Sequence, residues 1–321
     1  FEQIKGFSEY GFPESHAASF ALLVYASSWI KCHEPAAFLA ALLNSQPMGF
    51  YTPSQLVQDA RRHGVEVRSV DVMYSDVDTS LEDLPNPPAV RLGLHLVQGL
   101  KSVSAQRVME ERRKAPFDNA QELARRARLE QHEMKLLAAA GALASLSGHR
   151  RQQVWEAAAL HAPPQLLQDA AVDEAFLELP QAPEGEEVVW DYASVGLTLR
   201  SHPMALLRAK LARYRLLTSA ELRDTPDGQQ VRTVGIVTVR QQPETAKGTI
   251  FVSLEDEHGS TQVVVWKRVR EAQRQVLLGS RLLAVRGRWQ REGDVCNLIA
   301  DKLADLSHLL GRLATESRDF R

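Results

Sequence analysis

The 321-residue sequence predicts an α+β, multi-domain fold. Three observations carry that expectation. Apolar residues return at helical spacing between Ala17 and Ser27, a glycine turn at Gln98 to Lys101 separates two helical stretches, and residues 231–265 switch to the two-residue alternation of strands. Between these blocks lie segments rich in proline and acid, which read as connectors.

Residues 1–68 are expected to be helical. Phe12-Pro13-Glu14-Ser15 offers a serine cap before Ala17, Phe20, Leu23 and Val24, a second helix runs from Pro35 through Leu43, and Thr52-Pro53-Ser54 starts a third. His63-Gly64 closes that helix before a short strand, Val65-Glu66-Val67, and Trp29, Ile30 and Phe38 are assigned to a core. Residues 69–90 form an acidic connector in which Asp76-Val77-Asp78 reads as solvated loop. In 91–160 an apolar helix, the turn at Gly99, a capping Ser102 or Ser104 and a basic second helix make a helix-hairpin-helix pattern, with Met134, Leu137 and Leu143 in its core. Residues 161–228 are a linker and connecting element with a helix around Met204 to Tyr214. Residues 229–305 then give three strands, a helix over Lys267 to Leu277 and two strands, the order of an OB-fold β-barrel, with 306–321 as a tail.

Composition excludes several classes. Two distant cysteines, Cys32 and Cys296, fit a reducing, cytoplasmic setting and leave no Cys-rich zinc site, and no apolar run is long enough to imply a membrane partner. The net charge of −2 hides segregation: residues 91–151 hold twelve Lys or Arg against six acids and 229–300 hold eleven against seven. By contrast, 161–190 has seven acids and 69–90 has five, and neither has a Lys or Arg. Basic modules joined by acidic connectors are a footprint for phosphate backbones, though solvated helix faces produce the same counts.

Each module carries candidate residues. Ser15 and His16 at a helix start present a hydroxyl, an imidazole and unpaired N–H groups, which suit phosphate oxygens; a capping serine beside a partly buried histidine is the plainer reading. In the hairpin, Gly99 permits a close backbone turn while Lys101 and Arg107 bring charge toward a phosphate; an ordinary αα-hairpin stays open as the alternative. On the barrel, Arg240, Lys247, Arg286 and Arg288 are placed to follow a backbone and Phe251 and Trp289 to stack bases, while OB-folds also serve as protein docks.

The segments GFSEYGFPESHAASFALLVYASSW, Gly6 to Trp29, and TAKGTIFVSLEDEHGSTQVVVW, Thr245 to Trp266, together with Asp191-Tyr192, Gly196-Leu197-Thr198-Leu199 and His202-Pro203, resemble the back half of bacterial C-family DNA polymerase III alpha subunits, and more narrowly their error-prone paralogues. The resemblance covers nearly the whole chain and makes 1–68 part of a fingers domain, with Ser15, His16 and Phe20 on the nucleotide side. Two departures stand out: the replicative relatives usually carry Lys where Glu14 stands, and the family's hairpin has a second glycine where Lys101 stands.

No Asp-x-Asp pair lies in a strand with a third acidic partner, so catalytic residues are expected to be absent. The resemblance thus implies a carboxy-terminal piece of a DNA-directed DNA polymerase whose palm, with its Mg2+, lies elsewhere, and which works in translesion synthesis. It further implies, as partners, primer-template duplex and single-stranded template DNA, an inactive Y-family-like polymerase protein, a recombinase and, indirectly, the sliding clamp. No cofactor or metal is expected in the chain itself. The rival from another class is a protein-interaction scaffold that docks lesion-bypass proteins and has little DNA affinity.

Overall fold

The computed structural model describes residues 14–49, 51–82, 87–160, 178–243, 248–293, 295–313, 315 and 317–320. The chain divides into two compact units, Phe1–Glu174 and Ala175–Arg321. Among the described residues no helix is long and apolar enough to cross a membrane.

The first unit begins with three helices, α1 (Glu14–His33), α2 (Pro35–Asn44) and α3 (Pro53–Arg62). Proline opens the second and third, where its missing N–H costs nothing. Thr52 and Gln55 cap α3 reciprocally: Thr52 Oγ1 accepts from the Gln55 N–H at 3.3 Å, and Gln55 Oε1 accepts from the Thr52 N–H at 3.0 Å. Trp29 and Ile30 are not core: α1 leaves them 50% and 40% exposed.

Residues 69–90 are more than a loop. Strands β1 (Val67–Arg68), β2 (Ser80–Glu82) and β3 (Ala89–Arg91) form a small sheet with β3 central, parallel to β1 and antiparallel to β2. Three of the acids of this segment, Asp71, Asp76 and Glu82, are acceptors for their own unit. Asp71 Oδ2 accepts from Ser145 Oγ at 2.8 Å, Glu82 binds Arg91 at 2.6 Å, and Asp76 Oδ1, expected to be solvated, accepts from Arg112 Nη2 at 2.8 Å. The segment's charge had masked this role. Five helices follow: α4 (Ser102–Lys114), α5 (Ala120–Arg126), α6 (Gln131–Ala139), α7 (Ala144–Ser147) and α8 (Arg150–Ala159). Met134, Leu137 and Leu143 are fully buried among them.

In the second unit, α9 (Glu184–Ser194), α10 (Pro203–Leu211) and α11 (Ser219–Arg223) precede the barrel. Strands β4 (Gln230–Gln241), β5 (Ile250–Asp256), β6 (Gly259–Val265), β7 (Leu282–Glu292) and β8 (Val295–Asp305) close on themselves in the order β5-β6-β8-β7-β4, with β4 returning to β5. Only the β6–β8 pairing within this ring is parallel. The helices α12 (Lys267–Ala272) and α13 (Arg274–Gly279) lie between β6 and β7, and a last strand, β9 (Arg318–Phe320), runs parallel to β4. Val252, Leu254, Val263, Val265, Leu283, Val285 and Leu298 fill the interior.

Along β4 and β7 the outward-facing positions change character. Val234, Ile236 and Leu282 are apolar and pack under Val188, Met204, Leu207 and Leu211 of α9 and α10. Polar links fasten the same helices: Arg208 reaches Glu257 at 2.6 Å and Asp256 at 3.1 Å, and His202 caps α10 through the Met204 N–H. His202, buried and 3.3 Å from Glu255, is part of this fastening.

Candidate nucleic-acid interfaces

The hairpin differs from expectation on its first arm. Where an apolar helix was expected before Gly99, the chain forms β3 and a single 3-10 turn, Leu94–Leu96. Gly93 explains the change. A Cβ there would lie 2.4 Å from the Asp78 carbonyl carbon and 2.5 Å from the Thr79 nitrogen, so the backbone runs against a neighbouring segment instead of coiling. Gly99 itself has φ +82°, and the Leu136 side chain lies beneath it, 3.3 Å from where a Cβ would stand.

The second arm presents what was expected of it. Lys101, in extended conformation, is the N-cap of α4, so neither serine is. Ser102 opens the helix, and Lys101, Ser102 and Val103 are all exposed. Among the described residues no acceptor meets the N–H of Ser102 or Val103, which leaves the positive end of the helix dipole open. Ser104 turns inward and donates to Glu133 Oε1.

Arg107 is engaged within its own unit. Its Nη2 donates to Ser104 Oγ at 3.0 Å and to the Arg128 carbonyl at 3.2 Å, and lies 3.8 Å from Glu133 Oε2. It therefore braces α4 against α6. Burial pushes the Glu133 carboxyl up, but hydrogen bonds from Ser104 and the Glu130 N–H, with the charges of Arg107 and Lys101, outweigh burial and hold it below its ordinary value.

On the barrel the candidates divide by strand face. Arg286 and Arg288 are exposed on β7. Trp289, next after Arg288, is 3% exposed and belongs to the interior, so it cannot stack on a base. Arg240 is likewise turned in, 6% exposed, with Nε donating to the Leu277 carbonyl at 2.8 Å and its terminal nitrogens to the Ser280 carbonyl and Ser317 Oγ. Phe251 is half-buried on β5 opposite Val264. Lys247 lies outside the described residues.

Two cations absent from the sequence expectation join Arg286. Strand pairing sets Arg232 of β4 and Lys302 of β8 directly opposite it, on either side, and both are exposed. A register irregularity after Arg286 leaves Asp301 and Lys302 both exposed, and Asp301 Oδ2 accepts from Gln230 Nε2 at 3.0 Å. Gly287 makes the irregularity possible, since a Cβ there would sit 2.0 Å from the Ile299 carbonyl oxygen.

At the start of the first unit, His16 and Phe20 share an exposed face of α1, ring against ring with centroids 4.5 Å apart. The Ser15 side chain lies outside the described residues.

Comparison with known proteins agrees with this arrangement. A family model described as a helix-hairpin-helix motif matches residues 64–153, and one described as an OB-fold nucleic acid binding domain matches 231–306. Over 99% of its length the chain is 57% identical to a protein named error-prone DNA polymerase from Azoarcus sp. (strain BH72), of which it covers 30%. Proteins of the same name from Aromatoleum aromaticum and Ralstonia nicotianae are 55% and 54% identical over 100% and 99% of the chain, again with 30% of each covered. The chain thus spans less than a third of the curated relatives it matches. With a helix-hairpin-helix region and an OB-fold barrel in the places where such similarity runs, the chain is similar over nearly its whole length to part of the proteins named error-prone DNA polymerase.

Proposed function

We propose that this chain is the DNA-holding part of an error-prone DNA polymerase that acts in translesion synthesis and damage-induced mutagenesis. The hairpin carries the reading. An exposed, uncapped helix start with Lys101 at its mouth, set by the tight turn at Gly99, suits a phosphate and reads no base. The hairpin takes primer-template duplex and the barrel takes single-stranded template through Arg286 and Arg288. Ser15, His16 and Phe20 are assigned to the nucleotide side. Among the described residues no group of three His, Cys, Asp or Glu side chains is disposed to hold a metal ion.

A salt titration of duplex and single-strand binding tests this. Phosphate contacts make log affinity fall linearly with log salt, so steep slopes with both ligands are expected, and a flat response with micromolar or weaker binding overturns it.

The second reading is a docking scaffold for an inactive Y-family-like polymerase protein, with a recombinase or clamp recruited through it. Trp190, Leu206 and Tyr214, exposed on the helices ahead of the barrel, favour a protein contact there. Trp190→Ala with Tyr214→Ala should abolish capture of such a partner while DNA binding persists; unchanged capture removes this surface from consideration.

A further inference from the structure

The barrel distributes charge unevenly around its wall. Strands β5 and β6 contain no Lys or Arg at all. Their outward positions hold Phe251, Ser253 and Gln262, the last two joined by a 2.9 Å hydrogen bond, and the turn between them is Glu257-His258. On the opposite arc Arg232, Arg286 and Lys302 stand in register across β4, β7 and β8, with Arg288 two residues along β7. Among the described residues none of these four has a carboxylate ion partner.

That row works against folding. Like charges directly opposite on neighbouring strands repel, and the exposed acid beside Lys302, Asp301, accepts a hydrogen bond from Gln230 and forms no ion pair with the four cations among the described residues. Such an arrangement fits a surface whose counter-charge arrives with a ligand. The apolar half of the same β4–β7 face is already covered by α9 and α10, so a ligand has only the basic half to lie on. Three strands at about 4.8 Å spacing make a track roughly 10 Å wide, suited to a single extended backbone. The row carries no outward aromatic, since Trp289 points inward, and Gln290 pairs with Asn297 at its end.

We propose that the phosphate backbone of single-stranded nucleic acid crosses this barrel on the outer face of β4, β7 and β8, over Arg232, Arg286, Arg288 and Lys302, and not over β5 and β6. The inference deepens the single-strand role given to the barrel and rests on it. Contact here is electrostatic, without base stacking, and therefore tolerant of sequence.

The test uses the whole 321-residue chain and a fluorescent oligo-dT. Arg232→Gln with Lys302→Gln should lower the salt slope by about 1.4 units, about 0.7 per phosphate contact on a single strand, while Phe251→Ala leaves it unchanged. A photoreactive benzoylphenylalanine replacing Gln290 should crosslink to the oligonucleotide, and one replacing Gln262 should not. Matching melting curves keep folding out of the comparison. Crosslinking from position 262 with an unchanged slope in the paired variant overturns the path yet leaves single-strand binding standing. Absence of oligo-dT binding at low salt, with duplex still bound, overturns both. If the paired variant loses binding to polyglutamate but keeps oligo-dT, the row is a dock for acidic protein and the proposal fails.

Discussion

The Arg240 guanidinium donates through Nε to the backbone carbonyl of Leu277 at 2.8 Å, which fastens β4 to the last turn of α13 from inside the barrel. A cation that sequence assigns to a ligand is thus a structural tie. Arg240→Ala should destabilise the second unit by about 2–3 kcal/mol, because buried carbonyls lose a charged donor. Urea unfolding measures this. An unaltered DNA salt slope in the folded variant completes the expectation.

Lys101 and Arg107 should separate cleanly. Lys101→Ala should reduce the salt slope for duplex by about one unit with little change in stability. Arg107→Ala should cost about 1–3 kcal/mol in the first unit, since Glu133 loses its nearby charge and the Arg128 carbonyl its donor. Binding and unfolding measured on the same preparations distinguish the two.

Acid should loosen the second unit through Asp256. Burial raises this carboxyl, but hydrogen bonds from the Ser219 hydroxyl and N–H and the His258 N–H, with the charge of Arg208, hold it below its ordinary value. A depressed folded-state value means stability that is complete above about pH 4 and lost as pH falls through the folded value. Wild-type stability should therefore drop more steeply below about pH 4 than that of Asp256→Asn, which begins lower. Urea midpoints across acidic pH test the difference.

Primer extension should not occur with this chain alone. The expectation rests on the sequence pattern, in which no Asp-x-Asp pair reads as part of a strand with a third acidic partner. Nucleotide incorporation by rigorously purified protein, with magnesium present, refutes it.

Much of the fold was legible in residues. The strand-strand-strand-helix-strand-strand order of 229–305 and the turn at Gly99 follow from alternation and glycine placement, and the structure has both. The barrel's ligand face was less so. Arg288 and Trp289 are neighbours on one strand, so period two alone forbids both from facing outward. Arg240 shares parity with Arg232 and Val234, but the irregularity between Val237 and Val239 reverses the strand and turns it in. Arg232 and Lys302 meet Arg286 only through strand pairings between positions distant in the chain, which no local pattern encodes. In the first unit, Asp76 read as solvated because its partner, Arg112, is 36 positions away.

The apolar patch formed by Val234, Ile236 and Leu282 sets where the second unit can be cut. A barrel excised at residue 229 would lose α9 and α10 and turn that patch to water, with Asp256 and Glu257 stripped of Arg208. Such a piece invites self-association in place of a clean monomer. The smallest portable module therefore starts ahead of Glu184, and grafts between homologous polymerases should exchange helices and barrel as one cassette.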